Sequence, residues 1–497
     1  MPEFPSYSSP GPFSQDHPFP VVHTFPLPKL DVFEIYTRIA FPNTPSFLFE
    51  SGKGEAGCNR YSFVGTNPSY ILSGKGSQIE IRKDGQVFSS QGHPFETLTS
   101  LCTPPTYSSD LTLPPFLGGA VGFLSYDLVR QFESLPNLTD DSLASPDLEF
   151  LIIELFIAID HHTQTLHCIF SPSPERLHNT PSDILHKEGL EGLALLQTKI
   201  FHGASPPTKH PAKWKIDSLQ ANQHQSEYEH RVRTCQDLIA AGDIYQANLS
   251  HRFDFQLRAN TSEPAMQASR HLFQQLRQVN PAPFSALVEF EKFSLVSSSP
   301  ERLVSLRNNV ATIRPIAGTR PRGHSLAEDR RLIEQLVTSP KERAEHIMLV
   351  DLARNDLGRV CQYGSVQVNE LMGVERYSHV AHLVSNVLGT LHPTKRGADL
   401  IRASFPGGTI TGVPKIRCME IIEQLEPVRR GPYTGAIGYW SWNGNLDFNI
   451  IIRTLLLTQD KGYLQVGAGI VADSEPVREY EETLYKAQAL FQALHVS

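Results

Sequence analysis

Two apolar runs, 434–442 and 446–456, flank Asn443-Gly444, the strongest short-range hairpin signal in the chain. They require a pair of neighbouring strands late in the sequence. Other runs extend the strand pattern: 148–160 and 244–257 alternate and carry β-branched residues, short strands fall between 285 and 315, and another covers 463–471. Helical periodicity appears at 227–241, 340–357, 414–426 and 476–495, with Pro414 suited to a first helical position. No tandem repeat is present. Periodicity alone therefore predicts a mixed α/β chain.

At 497 residues the chain exceeds one small domain. Hydrophobic residues make up 40% and charged residues 19%, enough apolar material for a sizeable core. The net charge of -8 and the lack of long Lys/Arg blocks argue against a nucleic-acid face. An anion must then be bound by a few placed cations and backbone N–H groups. Cys58, Cys102, Cys168, Cys235, Cys361 and Cys418 are scattered with no Cys-x-x-Cys, the usage of a reduced compartment. No apolar stretch reads as a membrane span and the Pro/Ser-rich start has no signal core, so the expected location is cytoplasmic. Organisation reads as an arm (1–21), an N-terminal domain (22–202), a Pro-containing linker (203–225) and a second domain (226–497).

Gly52, Gly54 and Gly57 spell G-x-G-x-x-G, but a strand-like run follows where a dinucleotide loop needs a helix, so a plain loop is the better reading. Two Glu-x-x-Glu pairs are more informative. Glu342 and Glu345 share a face of one helix, and Glu479 and Glu482 form the second pair. Two such pairs offer hard oxygen ligands for Mg²⁺; either pair alone reads more readily as a solvated charged face. Arg453 sits among Ile450–Ile452 and Leu455–Leu457 and must be paired, either with a planar carboxylate ligand or internally. The glycine-rich run 405–415, with Gly408, Thr409 and Lys415, leads into a helix whose N-terminus favours an anion. Gly467 and Gly469 let backbone approach a ligand closely. His379 and His382 read as lying near a helix start, where a structural role is the commoner one. Glu301, in the turn of SSSPER, is either a turn carboxylate or, if burial raises its pKa, a general acid.

Taken together, GDIYQANLSHRF, SSSPER, RPIAGTRPRG, KERAEHIMLVDLARNDLGRV, ERYSHVAHLVSNV, FPGGTITGVPKIRCMEIIEQLEP, GAIGY, IIRT and GAGIVADSEPVREYEET resemble the chorismate-utilising enzymes. That family includes the large subunits of anthranilate synthase and aminodeoxychorismate synthase. The resemblance covers nearly the whole chain, including FLFESGKGEAGCNRYSFVGTNP and FLGGAVGFLSYDLVRQFE near its start. It implies a large α/β (α+β) fold of two stacked, mainly antiparallel sheets enclosed by helices, with the site in the C-terminal region.

The resemblance also implies roles. Glu345 and Glu482 would be direct Mg²⁺ ligands, with Glu342 and Glu479 assisting, and the metal would hold the ring carboxylate of chorismate. Gly467 and Gly469 would donate backbone N–H groups nearby. Arg453, with Tyr433, would hold the enolpyruvyl carboxylate. Glu301 would protonate the departing 4-hydroxyl, His382 and Thr409 would line that side, and Gly408 and Lys415 would belong to the substrate loop. Gln246 replaces the Lys of water-adding relatives, which points to ammonia as nucleophile. No Gly-x-Cys-x-Gly elbow is present, so a separate glutaminase subunit is implied, in a heterodimer or heterotetramer. Asn248-Leu249, the run 281–286 and the run 407–412 resemble aminodeoxychorismate synthase. Ala317 resembles anthranilate synthase, because the best-known form of the other enzyme has a nucleophilic Lys there. Leu48–Ser51 resembles the tryptophan-feedback segment, which places a tryptophan site at Glu50, Ser51 and Arg60. A non-catalytic chorismate- or tryptophan-binding regulatory subunit is the rival class. Against it stands the joint presence of Glu301, Glu345, His382, Arg453 and Glu482.

Overall fold

A computed structural model describes residues 19–51, 60–102, 113–203, 215–258, 265–323, 325–376 and 380–495. Among these, two twelve-stranded sheets are built from antiparallel pairs. The first sheet runs from Val21–Pro26 through Ser46–Glu50, Phe284–Glu289, Phe293–Ser299, Thr454–Thr458 and Gly462–Ile470 to Gln246–Arg258 and Lys215–Ala221. The second runs from Ile316–Pro321 through Val380–Thr390, Arg302–Arg307, Leu446–Ile450 and Ala436–Ser441 to Gly119–Leu124 and Gln86–Gln91. The sheets pack face to face. Phe47, Phe63 and Phe156 of the first meet Val121, Phe123 and Ile437 of the second in one buried cluster. Each such side chain contributes about 1.5–3 kcal/mol of apolar burial. The outer faces are covered by helices, among them Pro476–Ala493 on the first sheet and Pro340–Gly358 on the second.

Both sheets mix strands from the two halves of the sequence, so the 203–225 segment does not divide them. Part of that segment, Lys215–Ala221, is itself a strand paired with Gln246–Arg258. At the other end Phe19 is buried and a strand begins at Val21. Gly52, Gly54 and Gly57 lie outside the described residues, as does His379.

Three sequence expectations need correction. The run 148–160 is two strands in different sheets, Leu148–Ile153 and Leu155–Asp160. The break falls at Glu154, whose buried carboxylate accepts from Ser173 N at 2.8 Å and pairs with Arg176. The run 446–456 also splits, into Leu446–Ile450 in the second sheet and Thr454–Thr458 in the first. Arg453 thus lies in a crossover rather than inside a strand. Finally, His382 belongs to the strand Val380–Thr390, whose β-branched, buried residues pair with Ile316–Pro321 on one side and Gln367–Arg376 on the other. The hairpin at 443–444 forms as expected, with Gly444 at φ 86°. Pro414 caps the helix that starts at Lys415, one residue later than the sequence suggests.

Candidate active site

Two crossovers between the sheets lie side by side and create the site. One is Pro300-Glu301, between Phe293–Ser299 and Arg302–Arg307. The other is 451–453. They are tied by backbone bonds: Ile450 N donates to the Glu301 carbonyl at 3.0 Å, and Ser298 N to the Arg453 carbonyl at 3.2 Å. Arg453 takes a φ of 51°, an uncommon backbone state for a non-glycine residue. Such strain persists only where the surroundings enforce it. Here the two flanking strands belong to different sheets and fix the turn between them.

Glu301 is buried, and Thr409 Oγ1 donates to its Oε1 at 2.7 Å. Burial pushes its pKa up to about 7, opposed by the Thr409 hydrogen bond and by the charges of Arg453 and Lys486. That is the range of a general acid working near neutrality. His382 is driven the other way. Burial, helped by Arg453, lowers it to about 4, so the ring is neutral. Its Nδ1 faces the Gly318 carbonyl at 3.3 Å. A carbonyl cannot donate, so Nδ1 carries the hydrogen and Nε2 is left as the acceptor.

The two glutamate pairs approach each other from the Pro340–Gly358 and Pro476–Ala493 helices. Burial raises the Glu345 carboxyl; Lys341 opposes this, and Glu342, Glu479 and Glu482 add to it. Glu479 is raised chiefly by burial and also by Glu482, against a Ser474 hydrogen bond. The carboxylates therefore feel one another across two helices, which the spacing of either pair alone does not reveal. As the side chains stand, Glu342 turns to Arg320 at 2.9 Å and Glu482 to Lys486 at 2.8 Å. Among the described residues no three metal-ligating side chains have already converged. The donor set nevertheless fits a hard divalent cation: it is all carboxylate, and the mutual repulsion within it is what a bound cation removes.

Gly467 and Gly469 lie on the strand Gly462–Ile470 against Gln246–Arg258, with Ser250 opposite Gly467 and Asn248 opposite Gly469. A Cβ on Gly467 would sit 2.8 Å from Asn248 Oδ1 and 2.9 Å from the Tyr433 hydroxyl. A Cβ on Gly469 would sit 2.7 Å from Gln246 Nε2. At Gly467 a Cβ would also stand 2.7 Å from the Leu249 carbonyl oxygen, fixed in the neighbouring strand, so glycine is required there, whereas at Gly469 only the Gln246 amide would have to move aside. Gln246 Oε1 and Asn248 Oδ1 are buried without a hydrogen-bond partner among the described residues. Lys486, which the sequence reading passed over, donates to the Gly467 carbonyl at 3.0 Å as well as to Glu482. Its only sequence signal was the i, i+4 spacing from Glu482, which is also the signature of an ordinary surface pair.

Lys415 turns toward the helix Pro340–Gly358, where its Nζ pairs with buried Asp356 at 2.9 Å. This anchors the 405–415 loop. Gly408 is packed against Leu352, whose methyl lies 1.9 Å from where a Cβ would stand, so a larger residue would force Leu352 to repack. The N-terminal residues are engaged separately. Glu50 pairs with Arg277, Arg60 with Asp160 at 2.7 Å, and Ser51 N donates to Ser62 Oγ at 3.0 Å. Ala317 lies in the strand Ile316–Pro321 opposite Leu383, next to His382.

Glu301, His382 and Arg453 thus lie together where the two stacked sheets cross over, with the glutamates of the two flanking helices within electrostatic reach of one another. The chain belongs to the chorismate-binding enzyme family, whose model matches residues 44–492. It is 38% identical to aminodeoxychorismate synthase component 1 of Bacillus subtilis over 480 residues, covering 96% of this chain and 97% of that one. It is 47% identical to an anthranilate synthase component I-like protein of Synechocystis over 408 residues, covering 80% and 78%. Among solved structures, anthranilate synthase component I from Streptococcus pneumoniae superposes with a TM-score of 0.74 at 33% identity, covering 87% of this chain and 92% of that one. No described helix is long and apolar enough to cross a membrane.

Proposed function

We propose that the chain catalyses the Mg²⁺-dependent amination of chorismate with ammonia from a separate glutaminase subunit, giving 4-amino-4-deoxychorismate for 4-aminobenzoate and folate biosynthesis. The observation that carries this reading is the buried Glu301, held near neutrality beside Thr409 and Arg453. Loss of the 4-hydroxyl needs a proton donor, and few carboxyls are protonated near pH 7 without such burial.

In this account Arg453 and Tyr433 hold the enolpyruvyl carboxylate, because a guanidinium matches a planar carboxylate with two parallel hydrogen bonds. The glycines at 467 and 469 let the ring carboxylate lie close to the backbone. Glu345 and Glu482, with Glu342 and Glu479, would hold Mg²⁺, which supplies Lewis-acid stabilisation of charge on that carboxylate. Thr409 donates to Glu301 Oε1, which leaves Oε2 to carry the proton. As the ammonia lone pair forms the new C–N bond at C4, that proton passes to the 4-oxygen, the C4–O bond breaks and water departs; the ammonium left on C4 then gives up one proton, which the Glu301 carboxylate takes back. The Nε2 of His382 accepts from the hydroxyl and orients it. Gln246 and Asn248 present carbonyl oxygens to a nucleophile that has hydrogens to donate, as ammonia does. Ala317 offers no amine, so amination proceeds without a covalent lysine adduct.

Ala317 also favours a second reading, anthranilate synthase component I, in which ammonia enters at C2 and pyruvate is lost. Relatives of both kinds match along most of the chain. The wording at Asn248-Leu249 and at 281–286 is what favours aminodeoxychorismate.

The purified chain is expected to consume chorismate with Mg²⁺ and an ammonium salt. It should ignore glutamine until a glutaminase subunit is added. Glutamine-dependent turnover by the single chain would overturn the two-subunit assignment.

A further inference from the structure

Glu426 and Arg430 form an ion pair that the chemistry above does not use. They follow the helix Lys415–Leu425, 2.6 Å apart, with side chains 2% and 1% exposed respectively. A guanidinium has five N–H donors, and all are engaged here. Nε and Nη2 donate to Glu426 at 2.9 and 2.6 Å. Nη1 donates to the Ile410 carbonyl at 2.8 Å and to Thr434 Oγ1 at 3.3 Å. The remaining Nη2 hydrogen goes to the Asn248 carbonyl at 2.7 Å. Glu426 Oε1 in turn accepts from Ser250 N at 2.8 Å and Ser250 Oγ at 2.7 Å.

The partners belong to three separate segments, and each segment carries a site residue. Ile410 follows Thr409, the donor to Glu301. Thr434 follows Tyr433. Asn248 lies on the strand that begins at Gln246. Two of these segments lie outside the long strands. The residues 408–410 form a single short 3-10 turn. Thr434 has a φ of 59°, a conformation that strains a β-branched residue. Its hydroxyl accepts from Arg430 and donates to its neighbour's carbonyl, Tyr433 O, at 2.6 Å. The guanidinium also lies 5.7 Å from the Tyr433 ring centre and 5.0 Å from that of Tyr126. Stability alone does not explain such a pair, since well-packed apolar residues often serve a fold as well.

The geometry points to the Glu426–Arg430 pair as a positioning device for the reaction. It sets the spacing between the Thr409–Glu301 acid on one side and the Tyr433 carboxylate contact on the other. This rests on the functional reading above.

Removing one partner leaves an uncompensated buried charge, so the informative variant replaces both: Glu426→Met with Arg430→Met. It is expected to keep the wild-type circular dichroism and a cooperative melt, at a lower temperature because the Ser250 N–H and the Ile410 and Asn248 carbonyls lose their partners. Its kcat for chorismate should nonetheless fall roughly 100-fold, the scale of a small misplacement of reacting groups, and the decline of kcat/KM with rising pH, which Glu301 sets, should move from its wild-type position as Thr409 shifts. A double variant that turns over like wild type would overturn the proposal. Thr434→Val keeps the fold's charges and removes only the hydroxyl that links Arg430 to the strained turn. It serves if the double variant does not fold, and its kcat should fall about tenfold, the scale of one hydrogen bond. Wild-type turnover from Thr434→Val would equally sink the idea. Wild type that does not turn over chorismate at all would instead refute the functional reading.

Discussion

Glu301→Gln lowers kcat by roughly 10³-fold, the middle of the range expected when a general acid is removed. The amide keeps the size of the side chain and can still accept from Thr409, so the loss measures the missing proton rather than a collapsed site. The pH profile provides the sharper readout. Wild-type Glu301, raised to about 7 mainly by burial, acts in its protonated form, so kcat/KM holds below pH 7 and declines as pH rises through it. The variant's residual activity has no such limb at that position. His382, lowered to about 4 by burial, stays neutral across this range and adds no second limb near 7. A Glu301→Gln enzyme with wild-type kcat would return Glu301 to a turn carboxylate.

Glu345→Gln is the second large effect. Losing one carboxylate from the four-glutamate cluster removes much of the hold on a hard cation. Since Lewis-acid stabilisation supplies several kcal/mol of the transition state, turnover falls by roughly a thousandfold. Thermal melting without substrate gives a readout independent of activity. Wild type should gain stability with added Mg²⁺, because a ligand that binds only the native state raises its melting point. Glu345→Gln should gain little. In the absence of metal the order changes: the variant melts no lower than wild type, because it relieves the repulsion from Glu342, Glu479 and Glu482 that raises the Glu345 carboxyl. Glu482→Gln is a less clean probe, since it also breaks the pair with Lys486. Equal Mg²⁺ stabilisation of wild type and Glu345→Gln would contradict the metal assignment.

The candidate site residues owe their roles to the family resemblance; taken alone, Glu301 read equally as a turn carboxylate and either glutamate pair as a solvated helix face. Periodicity, however, cannot register a change of sheet. The apolar run around Arg453 reads as one strand because buried apolar residues stand on both sides of the crossover. Leu148–Ile153 and Leu155–Asp160 fuse for the same reason. His382 looked helical because a short alternating run after polar residues resembles a helix start; pairing on both sides of Val380–Thr390 made it a central strand. Glu479 and Glu482 sit away from the apolar stripe of their own helix; Glu479 is half-buried and Glu482 exposed, and both act on Glu345 of the neighbouring helix, a relation the sequence does not reveal. Arg430 had only the i, i+4 spacing from Glu426, because its other partners are spread from Asn248 to Thr434.

The most direct test of the account is the identity of the product. The pure chain is incubated with chorismate, Mg²⁺ and an ammonium salt, with and without a lyase that releases 4-aminobenzoate, and the aromatic products are separated by chromatography. The account predicts 4-aminobenzoate only when the lyase is present, and 4-amino-4-deoxychorismate when it is not. Anthranilate formed without the lyase would contradict the proposed product and make Ala317 the better guide than the sequence around Asn248.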